Sequence, residues 1–131
     1  MQRVLIVDDE RLVADTLAMV FRKNGFVVNT TYGADEALRV ARQESPDLLL
    51  CDVTMPGKDG ISLAEQMTRE LPTCRILFLT AFDINVQAIH RQRRTLPASV
   101  VVMTKPCAPE ELLRRASLML SRSALDPAPA A

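Results

Sequence analysis

The chain has 131 residues, about the size of one domain, and 48% of them are hydrophobic, which excludes a disordered chain. Sixteen basic residues balance sixteen acidic ones, so the composition gives no reason to expect direct binding to nucleic acid or to an anionic membrane. No apolar run is as long as a membrane span, and we expect a cytoplasmic protein without membrane contact. The three cysteines are widely spaced, which predicts small buried side chains in a reducing compartment.

Short apolar runs alternate along the chain with segments of helical periodicity. In chain order the predicted elements are a strand at Val4–Val7, a helix over 12–21, a strand at Phe26–Thr31, a helix over 34–41, a strand at Leu48–Cys51, a helix over 61–71, a strand at Arg75–Leu79, a weaker helix at Asp83–Arg94, a strand at Val100–Met103 and a helix from Pro109 to 120. This alternation predicts an α/β fold, a three-layer sandwich with helices on both faces of a parallel sheet. The half-polar second strand is typical of a sheet edge.

Polar residues follow four of these apolar runs at their carboxyl ends. Asp8 and Asp9 follow the first strand and Asp52 follows the third. Thr80 follows the fourth strand, and Lys105 comes two residues after the fifth. Because the carboxyl ends of parallel strands share one edge of the sheet, we expect these side chains to meet in a single cleft.

Three carboxylates and one lysine would carry a formal charge of −2 in that cleft. Carboxylate oxygens suit Mg²⁺, and a bound Mg²⁺ would neutralise the cluster and face the oxygens of a phosphoryl group. A carboxylate such as that of Asp52 can itself attack phosphorus and form an aspartyl phosphate, which Lys105 and the Thr80 hydroxyl would contact. Taken singly, an aspartate after a strand is more often a turn residue, and Asp9 or Glu10 could simply be a favourable charge at a helix N-terminus. The combination favours a phosphoryl acceptor.

The motifs resemble those of receiver domains of bacterial two-component response regulators. The resemblance extends from Val4 to about Arg122. It rests on Asp8-Asp9, on the block from Asp52 through Met55-Pro56 to Asp59-Gly60, on Thr80-Ala81 and on Lys105-Pro106. It implies a flavodoxin-like fold with strand order 2-1-3-4-5.

The resemblance also implies roles for individual residues. Asp52 would accept a phosphoryl group from a sensor histidine kinase or a histidine phosphotransfer protein. Asp8 or Asp9, Asp52 and the backbone carbonyl of Thr54 would bind Mg²⁺, and Thr80 and Lys105 would contact the phosphoryl group. The implied output surface, made by the fourth helix, fifth strand and fifth helix, would bind a downstream protein or domain. A phosphorylation-dependent homodimer stays open as a further partner.

Three features depart from the usual pattern of the family. Val102 stands where an aromatic residue usually precedes the lysine by three positions, so an inward ring swing coupled to Thr80 cannot operate. Cys107 replaces the usual Phe after the lysine-proline pair, and the segment between Thr80 and Lys105 is longer than usual by a few residues. We therefore expect the chemistry to be retained and the conformational response to be unusual. The basic stretch His90–Arg94 in that segment is interpreted as a solvated surface, with docking of an acidic partner as the alternative.

We expect a receiver domain over residues 1–123 and a loose tail or linker over residues 124–131, either as a stand-alone receiver or as part of a longer regulator. Such a domain would catalyse only its own phosphorylation and slow dephosphorylation. One alternative is a degenerate receiver that binds partners without phosphorylation. Another is a phosphatase of the haloacid-dehalogenase type, which Thr54 disfavours because those enzymes place a second aspartate there. A flavin-binding role has little support, since no phosphate-binding loop follows the first strand.

Overall fold

The computed structural model describes residues 2–81, 91 and 96–125. Its elements are β1 (Arg3–Val7), α1 (Arg11–Lys23), β2 (Val27–Thr31), α2 (Ala34–Gln43), β3 (Leu48–Cys51), α3 (Gly60–Glu70), β4 (Arg75–Thr80), β5 (Val101–Thr104) and α4 (Pro109–Leu125). The helix α4 is the fifth helix of the predicted series. None of the helices in the described ranges is both long enough and apolar enough to cross a bilayer.

The five strands form one parallel sheet in the order β2-β1-β3-β4-β5. The predicted α/β fold and the strand order that the resemblance implied are therefore confirmed. The strand β2 lies at an edge, as its polar residues predicted. The central strands β1 and β3 carry almost continuous buried apolar side chains, because helices cover both faces of the sheet.

Two apolar layers cover the two faces of the sheet. One layer joins α2 and α3 to the sheet through small and branched side chains such as Ala37 and Leu63. The other joins α1 and α4 to it through Leu17, Phe21 and Leu112. This packing covers β1, β3 and β4 on both faces, and the loops at the carboxyl edge follow these buried strands.

Several sequence predictions differ from the structure in detail. Leu12 has the helical spacing of an apolar face and begins the predicted first helix, but its side chain is 81% exposed, and Ala14 and Ala18 belong to the buried face instead. Helical spacing alone could not distinguish these two neighbouring faces. The second and fifth strands each begin one residue later than predicted, and the fourth and fifth each extend one residue further.

The predicted helix Asp83–Arg94 lies outside the described residues except for Arg91, which is helical and exposed. The interpretation of the basic stretch therefore stays a prediction. The last helix begins at Pro109, as predicted, and reaches Leu125, beyond the predicted domain boundary. Residues 126–131 of the predicted tail lie outside the described part of the chain.

Candidate functional site

The acidic residues predicted to meet at the sheet edge are close together. Asp8 directly follows β1 and Asp52 directly follows β3, and these strands are hydrogen-bonded neighbours. The backbone N–H of Asp52 donates to the Val7 carbonyl at 3.0 Å, which extends the sheet pairing to the residue that carries the carboxylate. Only 3% of Asp8 and 8% of Asp52 is exposed to solvent. Both carboxylates are thus held by backbone pairing at a largely buried position.

Lys105 brings a positive charge between the two buried carboxylates. Its Nζ lies 2.9 Å from Oδ2 of Asp8 and 3.4 Å from Oδ2 of Asp52. The backbone N–H of Lys105 donates to the Thr80 carbonyl at 2.7 Å, so the backbone of Lys105 is held at the end of the β4–β5 pair. The peptide bond from Lys105 to Pro106 is cis.

The carboxylates of Asp8, Asp9 and Asp52 form a group that could bind a cation. One oxygen from each lies within 4.8 Å of the others, and Asp9 is exposed while the other two are buried. Three carboxylate oxygens at this separation suit a hard divalent cation such as Mg²⁺, which takes a few carboxylates and keeps several waters. The donor set therefore fits the predicted cofactor, with solvent access on the side of Asp9.

The pKa values of the central pair follow from burial and charge. Burial raises the pKa of Asp52, and the negative charge of Asp8 raises it further, while Lys105 and the Thr54 N–H oppose the shift only in part. Burial lowers the pKa of Lys105, but its hydrogen bond to Asp8 and the two neighbouring carboxylates outweigh this, so the pKa of the ammonium is raised. The lysine is therefore charged at neutral pH, and burial together with the charge of Asp8 disfavours the ionised form of Asp52.

The loop after β3 is fixed by close packing and by a helix cap. The Asp59 side chain accepts a hydrogen bond from the Ser62 N–H at 2.8 Å and caps α3. The first residue of α3 is Gly60, and a β-carbon at this position would overlap the backbone carbonyl oxygen of Asp52. The Gly60 N–H also donates to the Val53 carbonyl at 2.8 Å. The Asp59-Gly60 pair thus lets α3 pack directly against the backbone of Asp52.

A cavity of about 250 Å³ opens over this cluster. Its lining residues are Asp9, Glu10, Asp52, Thr54, Ala81 and Lys105. The backbone nitrogen of Thr54 lies 3.4 Å from Oδ1 of Asp52, so a backbone N–H donor lies at the cavity wall. Thr80 is fully buried at the end of β4, and its successor Ala81 lines the cavity.

Sequence reasoning missed part of this lining. Glu10 was considered only as a charge at a helix N-terminus, and Ala81 only as the partner of Thr80 in a motif. Their positions depend on the conformations of loops, which no periodicity predicts. The available signal for Glu10 was its place in the unbroken acidic run after the first strand.

The cysteines differ in their burial. Cys51 and Cys74 are buried, as predicted, and Cys107 is only half-buried beside the layer that joins α1 and α4. The Cys51 thiol donates a hydrogen bond to the Asp52 backbone carbonyl at 3.0 Å. The prediction of three buried thiols is therefore correct for two of them.

Comparisons with known proteins agree with this geometry. A family model described as the response regulator receiver domain matches residues 4–117. A receiver domain protein of Methanospirillum hungatei JF-1 has a similar structure, with a TM-score of 0.87 and 22% identity, over 97% of this chain and 99% of that chain. The signal receiver domain of a modulated diguanylate cyclase from Desulfovibrio desulfuricans G20 is 29% identical, with a TM-score of 0.82 over 97% of this chain and 99% of that chain.

A third similar structure is that of NtrX from Brucella abortus in complex with ADP. Its TM-score is 0.83 and its identity 25%, over 95% of this chain and 28% of that chain. In NtrX the similar domain is therefore one part of a longer protein.

Proposed function

The chain belongs to the family of response regulator receiver domains, and we propose that it accepts a phosphoryl group on Asp52 in a Mg²⁺-dependent phosphorelay. The observation that carries this proposal is the convergence of Asp8, Asp52 and Lys105, with Nζ of the lysine 2.9 and 3.4 Å from the two carboxylates. Asp52, Lys105 and Asp9 line one small cavity, and the carboxylates of Asp8, Asp9 and Asp52 are close enough together to bind a metal ion.

The proposed step is a phosphoryl transfer to the carboxylate. An oxygen of Asp52 attacks phosphorus, the bond from phosphorus to the donor imidazole nitrogen breaks, and the electron pair stays with that nitrogen, which takes a proton from solvent. Lys105 then contacts a phosphoryl oxygen, with backbone N–H groups after β3 and the Thr80 hydroxyl as further contacts. In slow dephosphorylation, water attacks phosphorus and releases inorganic phosphate and the free carboxylate.

Asp8, Asp9, Asp52 and the backbone carbonyl of Thr54 are the proposed ligands of Mg²⁺. When bound, the cation supplies positive charge toward the oxygens of the transferring group. Of the two residues after β1, Asp8 is buried beside Lys105 and Asp9 is open to solvent. A bound cation would stabilise the ionised form of Asp52, because its charge would oppose the burial and repulsion that raise the pKa.

The proposed phosphoryl donor is a sensor histidine kinase or a histidine phosphotransfer protein. The proposed output partner is a downstream protein or domain. The surface formed by β5 and α4 supports an output role, because a concavity of about 800 Å³ lies there. Val102 contributes to this concavity and packs partly buried against the core, so the position three residues before Lys105 carries no aromatic ring to report the state of Thr80. We expect a switch with a smaller rearrangement than an aromatic residue would give, acting in the cytoplasm.

Incubation with acetyl phosphate tests the proposal. The wild type with Mg²⁺ should gain the mass of one phosphoryl group, while samples with EDTA and the Asp52→Asn variant should not. Since the chain has no tryptophan, intact mass is a more direct readout than intrinsic fluorescence. Partner binding that persists unchanged in Asp52→Asn, with no mass gain in the wild type, would instead support a degenerate receiver.

A further inference from the structure

We propose that Glu10 is a specificity-determining residue that selects against small, multiply charged anionic phosphodonors at the Asp52 site. This inference rests on the proposed function. It concerns a side chain that lines the cavity beside the metal-binding carboxylates and that belongs to none of the roles assigned above. The donors it disfavours are free acyl phosphates, and the donors it permits are those that carry a positive charge near the phosphoryl group.

The backbone of Glu10 is tied directly to the acidic cluster. Its N–H donates to Oδ1 of Asp8 at 2.9 Å, and its carbonyl accepts from the Ala14 N–H at 3.0 Å in the first turn of α1. These two bonds hold the residue at the junction between the cluster and the helix. The exposed side chain therefore begins from a fixed point at the mouth of the cavity.

A structural role in capping does not account for this glutamate. Glu10 occupies the N-cap position of α1, yet its side chain makes no capping hydrogen bond. Serine, threonine, asparagine and aspartate are the residues that cap helices well. The carboxylate is therefore available to act on whatever enters the cavity.

The nearest cation along the chain is engaged elsewhere. The Arg11 guanidinium carbon lies 4.0 Å from the centroid of the Tyr32 ring, and the Tyr32 hydroxyl donates to Asp15 at 2.7 Å. Arg11 is not among the residues that line the cavity. Arg11 therefore forms no ion pair with Glu10 in the described part of the chain.

The charge balance gives the expected direction. With Mg²⁺ bound, Asp8, Asp9 and Asp52 are balanced by the cation and Lys105, so Glu10 leaves one net negative charge at the mouth. A doubly negative acetyl phosphate is repelled more strongly than a singly negative phosphoramidate, whose leaving nitrogen is cationic. The same negative charge attracts Mg²⁺. Removing the charge of Glu10 should therefore favour the binding of acetyl phosphate and weaken the binding of Mg²⁺.

Phosphorylation rates of Glu10→Gln with both small donors test the inference. At low ionic strength and saturating Mg²⁺, the acetyl phosphate rate should rise about three- to tenfold over wild type, and the phosphoramidate rate by about twofold, so the ratio of the two rates changes. In both reactions Asp52 attacks phosphorus, and acetate or ammonia leaves with the electron pair. Calorimetry should show Mg²⁺ binding weakened by about two- to fivefold.

A matched control separates a local effect from the net charge of the protein. Glu44→Gln removes the same charge at the end of α2, on the opposite edge of the sheet, where Glu44 contacts Arg3 and Asn29. It should leave both the donor ratio and the Mg²⁺ affinity unchanged. The gain of Glu10→Gln should also shrink as added salt screens the charge.

Two results would overturn the inference. One is a donor ratio in Glu10→Gln equal to that of wild type, and the other is the same change in Glu44→Gln. A wild type that neither donor phosphorylates on Asp52 would instead refute the proposed function itself. Circular dichroism of each variant identifies any loss of fold, and the ratio of two rates on one sample is independent of the folded fraction.

Discussion

Gly60→Ala is expected to destabilise the protein because α3 packs against the backbone that carries Asp52. The added β-carbon would overlap the Asp52 carbonyl oxygen and lie 3.0 Å from both the Asp52 carbonyl carbon and the Cys51 sulfur. Two of these three atoms are backbone atoms, so no side-chain rotation relieves the contact. Either α3 or the loop after β3 must move.

The size of the effect follows from two opposing contributions. Overpacking a well-packed site costs about 1–3 kcal/mol, and rigid backbone neighbours place this site at the upper end. Alanine favours a helix over glycine by up to about 1 kcal/mol, and by less at a first helical residue such as Gly60, which offsets part of the cost. We therefore expect the free energy of unfolding to fall by about 2 kcal/mol, and phosphorylation of Asp52 to slow because its backbone shifts.

Urea denaturation followed by circular dichroism measures this loss. Gly33→Ala is the matched control, because no heavy atom lies within 4 Å of the β-carbon it would add and its φ of −161° is ordinary extended backbone. Loss of a good N-cap and reduced freedom of the unfolded chain nearly cancel there, so the control should change stability by less than about 0.5 kcal/mol. Equal stability of Gly60→Ala and wild type would refute the packing argument.

Three further predictions follow from the charges and thiols of the site. The pKa of Asp52 is raised in the folded state above 3.8, so protonation of Asp52 favours the folded protein. This contribution to the free energy of unfolding is fully present below 3.8 and is lost as the pH rises through the folded pKa. Asp52→Asn should therefore unfold at higher urea than metal-free wild type at pH 7, with a difference that shrinks toward pH 4, and a constant difference would contradict this. Lys105→Met should lower the free energy of unfolding by about 1–3 kcal/mol in EDTA, because buried Asp8 loses its partner at 2.9 Å. The loss should be smaller in Mg²⁺, and equal losses in the two buffers would argue against a site shared by the lysine and the cation. Iodoacetamide should label native protein once, at Cys107, because the other two thiols are buried and burial raises the pKa of both; two or three labels on folded protein would show that these thiols are accessible.

The central part of the site could be predicted from the sequence because it depends on sheet topology alone. Asp8, Asp52 and Lys105 each follow an apolar run, and parallel strands bring such positions to one edge whatever the details of packing. The family resemblance added the strand order, which alternation of strands and helices does not specify.

The remaining features depend on tertiary distances that no local pattern contains. Leu12 fits the helical spacing of an apolar face, yet the helix is rotated so that it is 81% exposed. Gly60 could be identified as part of a motif, but its contact with the Asp52 carbonyl appears only when α3 is docked. The place of Glu10 in the cavity wall likewise depends on the turn between β1 and α1.

Chemical mapping of the phosphoryl group tests the central claim most directly. Borohydride reduces an aspartyl phosphate to homoserine, and trypsin releases residues 43–58 as one peptide that contains two aspartates, Asp47 and Asp52. After incubation with acetyl phosphate and Mg²⁺, fragmentation should find homoserine at position 52 alone, and EDTA should abolish it. Homoserine at position 47, at Asp8 or at Asp9, or the same yield at position 52 without Mg²⁺, would contradict the account.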